Sequence, residues 1–140
     1  MRLSLVPLFI LLSAAQTQAQ TGPCTESAIK QGNVALADDA FSYMPPYGKP
    51  VVGKSAAQAA NKKSFSDRTN ITHSWVGEHR IVSAASGDMA YEYGTMHMGY
   101  DQGGGHHEFE AVMLSVYKAK DGACQKVAST MQPLEEHTGH

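Results

Sequence analysis

The sequence predicts an α+β domain, in which short helices precede a run of long strands. Helix caps and alanines occupy the first half, β-branched and aromatic residues dominate after Asp67, and turn residues separate those later segments at hairpin spacing. Taken in order, Thr25 can cap a helix through Ala28, Ile29, Lys30 and Gln31, ended by Gly32. Asn33 predicts a second short turn over Val34, Ala35 and Leu36. Ala40–Met44 reads as a short strand, stopped by Pro45-Pro46 and a Tyr-Gly-Lys-Pro turn ahead of Val51-Val52. Ser55-Ala56-Ala57-Gln58 has the spacing of a capping box, and the alanines that follow extend a helix to Lys63.

Ile71–Ala84 is the first long strand. Gly77 predicts a bulge within it, which leaves the faces taken by Glu78, His79 and Arg80 open. Ser86-Gly87-Asp88 makes a turn. Met89–Tyr100 and His106–Lys118 then flank the hairpin loop Asp101–Gly105. Lys120-Asp121-Gly122 turns into a last strand from Cys124 to about Met131, and residues 133–140 form a polar tail.

Composition bounds the function. A chain of 140 residues suits one domain, and 42% hydrophobic with 17% charged residues can form a packed core. Eleven Lys and Arg against 13 Asp and Glu give no basic stripe to neutralise a row of phosphates, so nucleic acid is excluded as a partner. Arg2 followed by the apolar run Leu3–Leu12 reads as a signal peptide, since a membrane span needs ~20 apolar residues. Thr17-Gln18-Ala19 offers the cleavage site, with Ser13-Ala14-Ala15 as a second. Residues 1–19 are therefore an expected leader, and residues 20–132 an expected periplasmic or secreted domain with no membrane attachment after processing. In such a compartment Cys24 and Cys124 are the available disulfide pair. Two buried thiols are the alternative.

Several motifs share one order. Ala37-Asp38-Asp39-Ala40, the Met44-Pro45-Pro46 turn with Val51-Val52-Gly53-Lys54 after it, and Trp75 come first; Ser86 to Tyr91 with Gly94, and Val116-Tyr117-Lys118 before Asp121-Gly122, follow. This series resembles the SnoaL-like or ketosteroid-isomerase-like proteins of the nuclear transport factor 2-like superfamily. The resemblance implies a cone, a strongly curved antiparallel sheet around a pocket partly closed by helices. It does not imply one chemistry, because superfamily members include isomerases, cyclases, dehydratases and binding proteins. The long first helix of relatives is truncated here to Thr25–Gln31. The position of the ketosteroid isomerases' proton-shuttling Asp falls on Met44, whose thioether takes no proton at neutral pH. Their oxyanion-binding Asp falls on Ser115, a hydroxyl donor without a base. Steroid isomerisation is therefore disfavoured.

With the hairpin paired across Asp101–Gly105, Tyr100 faces His106, His97 faces Phe109, Tyr93 faces Met113 and Tyr91 faces Ser115. Alternation then gathers Tyr91, Tyr93, Thr95, His97, Phe109, Ala111, Met113, Ser115 and Tyr117 on one face, which the Ser115 correspondence selects as the pocket wall. Aromatic rings with a few hydroxyls suit an apolar small molecule. His97, Ser115 and Tyr91 are the candidate catalytic groups, with His97 the candidate acid or base. Met96, Met98, Val112, Leu114 and Val116 on the opposite face suggest a homodimer surface.

Seven His and seven Met raise the question of metal. Met96-His97-Met98 and His106-His107-Glu108 carry copper- and zinc-type donors, but alternation sends neighbours to opposite faces, so no dedicated metal site and no cofactor are expected. The expected function is an exported domain that binds a small, largely apolar molecule. A lyase, isomerase or hydrolase using His97, a tyrosine or Ser115 is the alternative. An oligomerising or partner-binding module with a filled core is the third reading.

Overall fold

The computed structural model describes residues 21–44 and 48–134. The expected leader, Pro45-Pro46 of the predicted turn, and residues 135–140 of the expected tail, with His137 and His140, lie outside the described residues, whereas Pro133 and Leu134 are described and the Leu134 N–H donates to the Glu110 carbonyl at 2.8 Å. Two helices, α1 (Glu26–Lys30) and α2 (Lys54–Phe65), accompany six strands: β1 (Ala35–Tyr43), β2 (Val51–Val52), β3 (Thr69–Ser83), β4 (Met89–Gln102), β5 (Gly105–Lys120) and β6 (Ala123–Pro133). They form one open sheet in the order β2-β1-β6-β5-β4-β3. β3 to β6 make an antiparallel meander, whereas β1 runs parallel to β6. The sheet is therefore mixed, a correction to the antiparallel expectation.

Local chemistry explains most boundaries. The Thr25 hydroxyl accepts the Ala28 N–H at 3.2 Å and starts α1, and Gly32 leaves it at φ +72°. The turn expected over Val34–Leu36 is instead the start of β1. Ala35 and Leu36 pair with Gln125 and Lys126 of β6, and long-range pairing there overrides the Asn33 capping signal. Ala37–Ala40 then forms an irregularity in that pairing, with Ala37 and Ala40 fully buried. α2 begins at Lys54, before the predicted capping box. Gly53, at φ +101°, is its N-cap without a side-chain bond, and the Gly53 N–H donates to the Ala40 carbonyl at 2.9 Å. That tie to β1 fixes the N-cap at Gly53, two residues ahead of Ser55.

Gly77 lies at φ +67° where the β3–β4 register shifts between Val76 and His79, so the predicted bulge is present. It brings Trp75 and His79 to the same face, their rings stacked 3.8 Å apart. Trp75 lies over the backbone of Gly94, where an added Cβ would sit 3.1 Å from the indole.

The β4–β5 hairpin corrects the expected register by one residue. The loop is not Asp101–Gly105 but the pair Gly103-Gly104, both at positive φ, with Gln102 opposite Gly105. Tyr100 therefore faces His107, His97 faces Glu110, Tyr93 faces Leu114 and Tyr91 faces Val116. Opposed residues share a face, so a one-residue change exchanges the two faces of one strand relative to the other. Ala90, Glu92, Met96, Met98 and Tyr100 join Phe109, Ala111, Met113, Ser115 and Tyr117 on the face that carries both helices. Tyr91, Tyr93, Thr95 and His97 join Val112, Leu114 and Val116 on the bare face. No helix among the described residues is long and apolar enough to cross a membrane.

Candidate functional site

The helix-bearing face has two chemically different ends. At the α1 end, Cys24, Ile29, Ala90 and Tyr117 form a buried cluster. Cys24 and Cys124 are joined in a disulfide with Cα atoms 4.9 Å apart. The segment before α1 is laid along the β3–β4 turn: the Gly22 and Cys24 N–H groups donate to the carbonyls of Ser86 and Gly87, each at 2.8 Å. An added Cβ on Gly22 would fall 2.3 Å from the Gly87 oxygen, so the approach requires glycine there.

Next to this cluster stands Glu92, a buried carboxylate. The Tyr117 hydroxyl donates to its Oε2 at 2.5 Å, and His79 Nε2 lies 2.9 Å from its Oε1. Burial, then the Glu92 carboxylate it donates to, hold the Tyr117 phenol well above its ordinary pKa. Ser115 is fully buried beside it. Trp75, His79, Glu92 and Tyr117 thus form a polar network set into an apolar wall.

The α2 end is open. A cleft of about 510 Å³ lies between α2, the 48–50 segment before β2, and the sheet. Its cause is legible in the helix. Ala57, Ala60, Asn61 and Ser64 follow helical i, i+3, i+4 spacing and line the cleft, and none is large enough to fill the space beneath. The floor is Met98, Phe109 and Met131 from β4, β5 and β6, with Met44 and Val51 at the side. Three cations, Lys49, Lys63 and Arg68, also line it, and no Asp or Glu does among the described residues.

Arg68 alone of these lies against aromatic rings among the described residues. Its guanidinium is 4.2 Å from the Tyr100 ring centroid and 5.5 Å from that of Phe65, within cation–π distance of both. Its Nε is buried and has no hydrogen-bond partner among the described residues. Nearby carboxylates are engaged elsewhere: Asp67 accepts from Gln102 Nε2 at 2.5 Å and Asp101 from Asn70 Nδ2 at 2.6 Å.

The residues expected to form a pocket are divided by the register. Phe109 lines the cleft, and Met113, Ser115 and Tyr117 share its face. Tyr91, Tyr93, Thr95 and His97 project from the other side of the sheet. His97, Tyr91 and Ser115 consequently do not converge on one point. His97 meets Glu108 at 3.6 Å in an exposed cluster, where His106 also bonds Asp101 at 2.6 Å. Among the described residues no group of three or more His, Cys, Asp or Glu side chains is placed to hold a metal ion. Sequence reasoning missed Arg68, Met98 and Met131. It also put Met96 and Met98 on the wrong face; they pair with Ala111 and Phe109 on the side that carries the helices.

No family model and no curated protein matches the chain. Solved structures do. A ketosteroid isomerase-like protein from Erwinia carotovora atroseptica is 14% identical, the match covering 78% of this chain and 87% of that one at TM-score 0.60. An NTF2-like protein with a cystatin-like fold from Novosphingobium aromaticivorans is 12% identical over 74% of this chain and 67% of its own, at TM-score 0.55. A protein from Catenulispora acidiphila in complex with S-DNPA is 11% identical over 70% of this chain and 72% of its own, also at TM-score 0.55. The chain has the fold of the nuclear transport factor 2-like superfamily.

Proposed function

We propose that the chain is a small-molecule-binding domain whose site is the cleft beneath α2. The observation that carries this reading is the cleft itself: about 510 Å³, walled by methionines, Phe65 and Phe109, with a small set of polar groups at its edge. Those are the dimensions and chemistry of a ligand site rather than of a packing defect. Methionine walls adapt to irregular apolar shapes, which suits a ligand of that kind. The complex of the Catenulispora acidiphila protein with S-DNPA supports the reading by analogy of fold. The sheet, in this reading, curves around the ligand as a cone.

Nile red, a neutral apolar fluorophore, tests the cleft. Saturable uptake at one site per chain is expected, and Ala60→Trp, which fills the cleft from α2, is expected to abolish it without lowering the melting temperature. Absence of saturable uptake by the unaltered protein overturns the reading.

The bare face favours a second property, self-association. Val76, Val82, Tyr91, Val112 and Leu114 are all exposed on it. Met96 and Met98, expected there, lie on the helix-bearing face instead, and Val76, Val82 and Tyr91 are the exposed apolar residues that join Val112 and Leu114. A homodimer would cover this surface. Sedimentation is expected to give a two-chain mass that Leu114→Asp reduces to one; a single-chain mass for the unaltered protein at high micromolar concentration excludes it. Export is part of the same proposal, supported by Arg2 with Leu3–Leu12 and by a disulfide suited to an oxidising compartment. An intact mass beginning near Gln20 is the expected result.

A further inference from the structure

We infer that the cleft selects amphipathic monoanions, in which a single carboxylate meets Arg68 and an apolar body lies over Met98, Phe109 and Met131. The inference rests on the cleft being a binding site and names the class of molecule it takes.

Three observations lead to it. The first is charge: Lys49, Lys63 and Arg68 line the cleft and no described carboxylate does, so the space carries an unbalanced positive potential. The second is the state of Arg68. A guanidinium that is partly desolvated is ordinarily ion-paired, yet none of the described carboxylates bonds it, and its buried Nε has no acceptor among the described residues. Asp67 and Asp101, its chain and sheet neighbours, are held by Gln102, Asn70 and His106. The third is placement. The guanidinium lies within cation–π distance of two rings, 4.2 Å from the Tyr100 centroid and 5.5 Å from that of Phe65, so it is held at the cleft wall by aromatic contacts that leave its charge without a counter-ion.

A guanidinium is a planar fork of N–H donors, which matches a carboxylate able to accept two parallel N–H bonds. Lys49 and Lys63 are exposed and act at the mouth by attraction without a fixed geometry. One seated anion against methionine and phenylalanine walls disfavours nucleotides and other polyanions, for which the floor offers no donors. A neutral alcohol would offer one uncharged acceptor in place of a charge-assisted, two-oxygen pair, and a cationic analogue would add repulsion from three like charges.

Displacement of Nile red by decanoate, decanol and decylammonium at pH 7.5 and low salt tests the inference. Decanoate is expected to displace the fluorophore at a concentration roughly tenfold below decanol, the discrimination usual for a charge-assisted hydrogen bond, with decylammonium weakest. With each potency read against the variant's own Nile red saturation, Arg68→Met is expected to erase the difference between decanoate and decanol, and Arg68→Lys to restore part of it. Equal potency of decanoate and decanol on the unaltered protein overturns the inference and leaves the cleft reading intact. A preference that survives Arg68→Met overturns the role of Arg68. Absence of Nile red uptake overturns both the cleft reading and this one.

Discussion

The helix-bearing face ends in α1 on one side and α2 on the other, and the two ends treat charge in opposite ways. Near α1, Glu92 is buried but receives Tyr117 and His79, and a disulfide closes the cluster behind it. Near α2, Arg68 is partly buried and receives only aromatic faces. Six residues of β4, ~20 Å of strand, separate Glu92 from Met98. The helices account for the difference. α1 places Ile29 directly against Ala90 and Tyr117, whereas α2 presents alanine, asparagine and serine to the sheet. A buried charge answered from within the chain holds the fold together; one left unanswered is available to a ligand.

Perturbing the α1 end should change stability and leave the cleft's uptake of Nile red intact. The largest effect is expected from Cys24→Ser with Cys124→Ser. A bond spanning 100 residues constrains the unfolded chain by about 4 to 5 kcal/mol, read as the loss of urea-unfolding free energy relative to the oxidised protein. Glu92→Ala should follow at about 2 to 3 kcal/mol, because it orphans the Tyr117 hydroxyl and the His79 nitrogen together. Unchanged stability would show that the network is solvated rather than structural. Gly94→Ala is expected to lose about 1 to 2 kcal/mol, since its Cβ would press at 3.0 Å on the Glu78 carbonyl and 3.1 Å on Trp75. A red-shifted Trp75 emission in that variant would locate the strain.

The smallest effect belongs to neither end but to the exposed hairpin, and it sharpens the contrast between buried and solvated charge. Hydrogen bonds to Asp101 and then Glu108 raise the His106 pKa above 6.5. Asn70 and then His106 lower that of Asp101 below 3.8, and His106 lowers that of Glu108 below 4.5. The imidazolium's contribution is present in full below pH 6.5 and is lost as pH rises through its folded value. The carboxylates contribute above their unfolded values and lose that contribution as pH falls through their folded ones. The cluster thus favours the fold in mildly acidic solution, weakly because it is exposed. Asp101→Asn should bring the His106 titration, followed by NMR, back toward 6.5. An unmoved titration would assign the shift to Glu108 alone.

Much of this fold could be read from residues whose signals are local. Thr25, Gly77, the Gly87 turn and the Asp121-Gly122 turn each act on their own few residues, and each is where the sequence indicates. Misreadings arose where a distant partner decides. Asn33 offers a cap, but β6 claims Ala35 and Leu36 as a strand. Ser55 offers a capping box, but a hydrogen bond from Gly53 to β1 starts the helix earlier. The candidate site depends most on one residue of register, because a loop of Asp101–Gly105 and the Gly103-Gly104 turn both fit the glycine run. Strand parity carries that single residue through β4, and it places Tyr91, Tyr93, Thr95 and His97 on the side of the sheet away from Phe109, Met113, Ser115 and Tyr117. Arg68 had no such signal, since a cation just after a helix ordinarily reads as solvated. Only the neighbouring Tyr100 and Phe65 rings distinguish it.

The strand order bears on how the chain assembles. The meander β3 to β6 pairs each strand with the next, so it closes short loops and can form early. β1 is different: it must find β6, the final strand, and it does so in parallel. During synthesis, therefore, the N-terminal third waits for the last strand to emerge, and the Cys24–Cys124 bond cannot form until that point. A chain cut short before Cys124 would lack the bond, which makes the oxidised form a covalent record that synthesis reached its last strand.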